Sequence, residues 1–363
     1  VFAVTITENT VQISTIDITL GDLTINAGVY YSIVNSALVT LAGSVTNAGG
    51  FYVTSANGLA ASVVMTGSSF VNSGTCAFNS LSATVLSTYD IATLGSFLNT
   101  GDMYFGISGA TIVGTPFIVT SVTSWSNDGM MVFRRASGDS ALLVIEQVVG
   151  SGGLSTILND GSICLYNTYW LQTTSIVGSG CITVGSGSEM QLQLSVGTLL
   201  FSVAESQTIY LASSDSVLSI LGLSLSLLPD NTITVAGFGN GNKIELDILF
   251  LSYTYSSTTG ILRLTLAILL SVEIYIGPGY NSLYFSTAST LLSKSISYSR
   301  SPPNAAPAIC ACSYNFPEVT TTALSSSTST TSVNSDGSVE TASGVVIVNT
   351  DSAGVVTTTT SII

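Results

Sequence analysis

Histidine is absent from all 363 residues, and Lys and Arg together number six against 20 Asp and Glu, for a formal charge of −14. A chain so poor in cations cannot neutralise a phosphate backbone, which excludes nucleic acid as a partner. Without an imidazole, Ser-His-Asp and Cys-His nucleophilic catalysis are excluded as well. No charge of either sign occurs between Leu23 and Tyr89. Long amphipathic helices, whose outer faces are built from Glu, Lys and Arg, are therefore not expected. Long apolar runs are also missing. Mean hydropathy is +0.59, yet the most apolar window, Ile261 to Ile276, is interrupted by Arg263 and Glu273, short of the roughly 20 residues a spanning helix needs. The sequence opens at Val1 with no basic and apolar leader, which reads as a secreted protein whose signal peptide has been removed.

What is present is a repeat. Asn-x-Gly recurs at Asn26, Asn47, Asn72, Asn99, Asn127 and Asn159, flanked by short apolar or aromatic segments such as SVTNAGGFYV, SFVNSGTCAF, SFLNTGDMYF and SWSNDGMMVF. Each unit reads as strand, turn, strand, with Gly expected to supply a positive φ. A drifting period of this size predicts a parallel β-solenoid, each coil stacked on the last. Stacking places equivalent residues about 4.8 Å apart, so the six Asn amides are expected to bond from coil to coil as a ladder. The competing reading is a meander or sandwich whose Asn-x-Gly triplets are ordinary hairpin turns.

Apolar alternation continues through Met190–Val196 and Val217–Leu225, until Pro229 and Asp230 punctuate the chain. The expected organisation is a parallel β-helix over 1–225, a small β-sandwich over 226–300 that caps it, and a Pro- and Cys-rich strap over 301–317. A Ser/Thr-rich segment over 318–363 is expected to lack structure. It reads as the start of an O-glycosylated stalk, and no Asn-x-Ser/Thr sequon occurs in the chain.

Five cysteines, Cys76, Cys164, Cys181, Cys310 and Cys312, fit an oxidising compartment. A zinc site without His would need four of these distant thiolates, and no pair has C-x-x-C spacing. No metal and no cofactor are expected. Cys164 and Cys181, on what read as neighbouring coils, are expected to pair. Cys76 is expected to pair with Cys310 or Cys312 and so draw the strap back along the solenoid.

The Asn-x-Gly coils, followed by GFGNGNKIELDI (237–248), YSSTTGILRL (255–264) and IGPGYNSLYF (276–285), resemble the N-terminal domain of the hyphally regulated cell-wall proteins of Candida-type yeasts. The resemblance covers about residues 1–317 and is specific as a block. It implies a right-handed β-helix followed by a small β-sandwich, in a GPI-anchored wall adhesin of which this chain is the N-terminal portion, ahead of a long repetitive stalk. It lends no ligand-contacting residues.

Parallel β-helices also carry polysaccharide-cleaving enzymes, so catalysis is a reading that the residues must support or exclude. The N-T-D, D-D, G-H-G and R-x-K pattern of such sites is missing, and the one N-T-D, at Asn349–Asp351, lies in the Ser/Thr-rich tail. Asp128, Arg134, Arg135, Asp139 and Glu146 form the richest charged cluster and read as a surface ion-pair loop. Lys243, Glu245 and Asp247 alternate with apolar residues on one strand's solvent face. The glycines around Gly185 and Gly237–Gly241 are turns rather than phosphate loops. A calcium-bridged lectin would need converging carboxylates, which the spacing does not offer. The reading is a non-enzymatic adhesion module, monomeric, that meets host or abiotic surfaces and other cells through its lateral face, with Tyr30-Tyr31 and Phe51-Tyr52 among its aromatic patches. The alternative is a β-helix that binds or cleaves wall polysaccharide.

Overall fold

The computed structural model describes residues 3–109, 114–148, 155–196, 199–223, 232–267 and 270–319. Beyond these it describes the backbone of strands Leu324–Val333, Val339–Thr350 and Val356–Ile362. Among the described residues there is no α-helix. The only helical turns are two 3-10 segments, Ser282–Tyr284 and Ala308–Cys310.

The repeat unit is a coil of three strands. Val45–Asn47, Gly50–Thr54 and Ser62–Met65 pair in parallel with Phe70–Asn72, Thr75–Asn79 and Tyr89–Thr93 of the next coil. Stacking the coils gives three long sheets, of eight, 13 and 12 strands. We call them the asparagine sheet (Val4–Ile6 to Ser175–Val177), the strap sheet and the third sheet. Asn-x-Gly marks the corner where the chain leaves the asparagine sheet for the strap sheet, so these triplets are not hairpins. A β-helix follows.

The interior is built by alternation. Val53, Phe78, Phe105, Phe133, Leu165 and Val184 occupy one column of register partners, all fully or almost fully buried. On the asparagine sheet Phe70, Phe97 and Trp125 stack with centroids 5.9 and 5.2 Å apart. Each such side chain contributes about 1.5–3 kcal/mol by leaving water, which is how a chain with so few charges holds together.

Parallel stacking runs further than the expected boundary at 225. Ile233–Ala236 and Lys243–Leu246 still pair in parallel with Thr208–Leu211 and Val217–Leu221. The strands expected to form a separate sandwich instead extend two of the existing sheets. Leu270–Tyr275, Ile261–Ala267 and Ser252–Tyr255 prolong the strap sheet, and Lys294–Tyr298 and Phe285–Ser289 prolong the third. Apart from Leu270–Tyr275, which joins in parallel, these additions are antiparallel. Their inner residues, Leu262, Ile274, Phe285 and Ile296, belong to the same core as the coils.

The segment 318–363, expected to be without structure, contains three antiparallel strands over its described backbone. Its Thr and Val content favours extended pairing over a featureless coil.

Candidate interaction surfaces

The asparagine ladder lies inside the corner. Asn47 Nδ2 donates to Asn72 Oδ1 at 2.7 Å, and Asn72 to Asn99, Asn99 to Asn127 and Asn127 to Asn159 at 2.8 Å each. All five side chains are fully buried. Asn26 is not a member. Ile25, not Asn26, registers with Asn47, because the corner from Ile25 to Tyr30 is longer than that from Asn47 to Gly50, and Asn26 is exposed. At the other end Gly178 replaces the next amide, and Gln207 reaches across to accept from Asn159 Nδ2 at 3.0 Å. No spacing in the sequence singles out Gln207.

The triplet glycines have a different cause from the one expected. Among the six only Gly28 has a positive φ. At Gly101 a Cβ would stand 2.1 Å from the carbonyl oxygen of Gly74, and at Gly129 it would stand 2.0 Å from that of Gly101. Glycine is required there because corners of successive coils touch backbone to backbone.

Strand parity decides the disulfides. Cys76 registers with Met103 and hence with Met131, which point into the core. It is a buried free thiol, and burial pushes its pKa up. Cys164 and Cys181 face outward, where the strap crosses them: Cys164 bonds Cys312 and Cys181 bonds Cys310. Neither expected pairing forms. Cys164 registers with Thr183, two residues beyond Cys181, and such a diagonal separation of about 7–8 Å exceeds what a disulfide spans. Cys76 lies on the wrong side of the sheet.

The strap continues across the outer face. Thr183 Oγ1 donates to Cys310 O at 2.9 Å, Arg134 Nη1 to Tyr314 O at 3.2 Å, and Phe316 packs on Tyr104 at 5.3 Å. Beneath it lies a second apolar cluster of Ala77, Tyr104, Val132 and Cys164. The charged cluster expected around Arg134 does not form ion pairs. Arg134 lies 3.7 Å over the Tyr314 ring, whereas Arg135 is buried and donates to the carbonyls of Gly109 and Asp139. Glu146 accepts from Thr173 on the third sheet, and Asp128 accepts from Ser126 at 3.4 Å. Among the described residues the one ion pair is Arg263 with Glu273, and no group of three or more Asp, Glu or Cys is placed to hold a metal.

Beyond the part of the strap sheet that the strap covers, the two other sheets present lateral faces. The outer face of the asparagine sheet presents Thr24, Thr46, Val71, Leu98, Ser126, Leu158 and Val177 in one column across successive coils, with Leu158 37% and Val177 39% exposed. None carries a charge. At the adjoining corner Leu94, Val122 and Val148 are exposed on successive coils. The third sheet differs. Near its cap a groove of about 510 Å³ is lined by Glu189, Gln191, Ser219, Lys243, Glu245 and Asp247, the last three on the solvent face as expected. Tyr169 donates to Gln191 at 2.5 Å, and Gln191 and Ser219 both donate to Glu189, at 2.7 and 2.8 Å. Of the aromatic pairs, Tyr31 and Phe51 point inward and Tyr30 and Tyr52 outward.

The profile of the family described as hyphally regulated cell wall protein, N-terminal, matches residues 1–320. Cell wall protein RBR3 of Candida albicans is 38% identical over 377 residues, covering 98% of this chain and 23% of the relative. Hyphally regulated cell wall protein 3 of the same yeast is 37% identical, covering 99% and 29%, and cell wall protein IFF6 is 35% identical, covering 91% and 31%. The chain therefore spans between about a quarter and a third of the length of these relatives. Among its described residues no helix is long and apolar enough to cross a membrane.

Proposed function

The chain belongs to the hyphally regulated cell-wall protein family and is a cell-wall protein, and from that premise we propose that it is the adhesive domain of a wall-anchored protein, attaching to host or abiotic surfaces and to other cells without catalysis. The observation that carries this reading is the outer face of the asparagine sheet. Parallel coils repeat along it in register, and its column is free of charge over many coils, so it meets another surface at little desolvation cost. A direct test coats beads with the chain and measures retention on plastic and on epithelial cells. Leu98→Glu and Leu158→Glu, each folded by circular dichroism, are expected to reduce retention several-fold. Unchanged retention in both variants sinks the reading.

The groove on the third sheet supports a second reading, recognition of a neutral wall polysaccharide. Its Gln191, Glu189 and Ser219, with Gln191 held by Tyr169 from beside the groove, offer fixed donors and acceptors of the kind a sugar hydroxyl array needs. A glycan array separates the two readings, because selective glycan binding abolished by Gln191→Ala, with bead retention absent, favours the groove.

A further inference from the structure

Among the described strands, the cap ends two of the sheets in open edges. Phe285–Ser289 is the last strand of the 12-stranded sheet and pairs, among the described strands, with Lys294–Tyr298 alone. Open edges are ordinarily blunted by charge, proline, a bulge or a covering segment. Here the strand register is unbroken, and the chain carries no charged residue from Ile274 to Ser293. Ser286, Thr287, Ala288 and Ser289 are all exposed. Flanking the strand are the most exposed large apolar residues of the described chain, Leu283 at 84%, Leu291 at 93% and Leu292 at 80%.

We propose that this edge is a homotypic contact, through which two copies of the chain join their third sheets by antiparallel pairing of Phe285–Ser289. The edge is self-complementary. An antiparallel pair centred on Thr287 sets Ser286 against Ala288 and Phe285 against Ser289, and brings Leu283 of one copy to Leu291 of the other at both ends. The other open edge, Ser252–Tyr255, fails the same test: centred there, a two-fold sets exposed Leu251 against Ser256 and Leu249 against Thr258. Electrostatics select the same place, since two copies carrying −14 each repel except where neither presents charge. A contact of five residue pairs with two leucine clusters is smaller than a standard stable interface. It is therefore weak in solution and gains strength from many copies displayed on one wall.

The proposal is independent of the surface-adhesion reading, because its test needs no surface. Sedimentation velocity of the full chain over a concentration series is expected to show a reversible monomer–dimer equilibrium. Leu283→Glu and Leu291→Lys, both at exposed positions and both checked for an unchanged melting curve, are each expected to weaken dimerisation at least tenfold. Combined in one chain, the introduced acid and base meet across the two-fold, and the double variant is expected to recover most of the loss. A wild-type chain that stays monomeric at the highest soluble concentration overturns the proposal. So does a dimer indifferent to either single change, which would place the contact elsewhere, including the 324–362 strands. A double variant no better than the worse single one overturns the antiparallel register.

Discussion

Asn99 accepts from Asn72 and donates to Asn127 in a site closed to water, so Asn99→Ala strands amides on both sides. At about 1–3 kcal/mol for each unsatisfied buried group, the expected loss is on the order of 2–4 kcal/mol by chemical denaturation. Asn26→Ala, outside the ladder, is expected to cost under about 0.5 kcal/mol. The role of the repeated Asn was legible in the sequence because one residue type at one place per coil implies contact between coils. The role of the repeated Gly was not, because the backbone approach at Gly101 is set by the packing of two coils and not by the turn itself. Asp90 offers a pH test. It sits in register between Val64 and Ile118, its Oδ1 is buried without a partner, and burial raises its pKa. A raised folded-state pKa means the ionised carboxylate opposes folding, fully so above that pKa, and the penalty disappears as pH falls through the unfolded value. Asp90→Asn is therefore expected to raise Tm at pH 7, with the advantage shrinking as pH falls through the carboxylate range.

For elements, the decisive variable is which face of a strand a residue occupies. Counting from the corner Asn makes this visible: Cys76 is four residues after Asn72 and Cys164 five after Asn159, so they lie on opposite faces. Neighbouring coils alone are enough to reveal the strap, but its bonds depend on face as well. The coils continue past the expected end at 225: beyond the break that Pro229 and Asp230 make in the alternation, Ile233–Ala236 registers with Thr208–Leu211. Two outcomes follow for the strap. Peptide mapping of the native protein is expected to return Cys164–Cys312 and Cys181–Cys310, with Cys76 unreactive to alkylating reagents until the chain unfolds. Replacing Cys310 and Cys312 together by Ser is expected to destabilise the domain by at least about 2–4 kcal/mol and to raise binding of a hydrophobic dye as Ala77, Tyr104 and Val132 lose their cover. Dye binding unchanged from wild type would show that the strap stays docked without its disulfides.

Over the whole molecule, the −14 charge sets long-range behaviour while the uncharged faces set contact. Repulsion from negatively charged plastic or host surfaces is screened over about 8 Å at physiological ionic strength. Bead retention is therefore expected to rise, or at least to hold, between low salt and about 0.3 M salt, and to be indifferent to a chelator. Loss of retention on chelation would instead indicate a cation-bridged lectin. The doubled-back strap bears on how the domain carries force. A pull applied beyond residue 317 does not reach the cap first. It enters the coil stack sideways at Cys164 through Cys312, and the 148-residue span between those two cysteines, most of the later coils and the whole cap, is excluded from the load path. At about 3.3–3.6 Å per extended residue, that locked span is roughly 500 Å of slack chain. With the bonds intact the domain would yield only by prying coils apart across whole sheets. With the bonds reduced, the same tension would unzip the cap and then the coils one strand at a time.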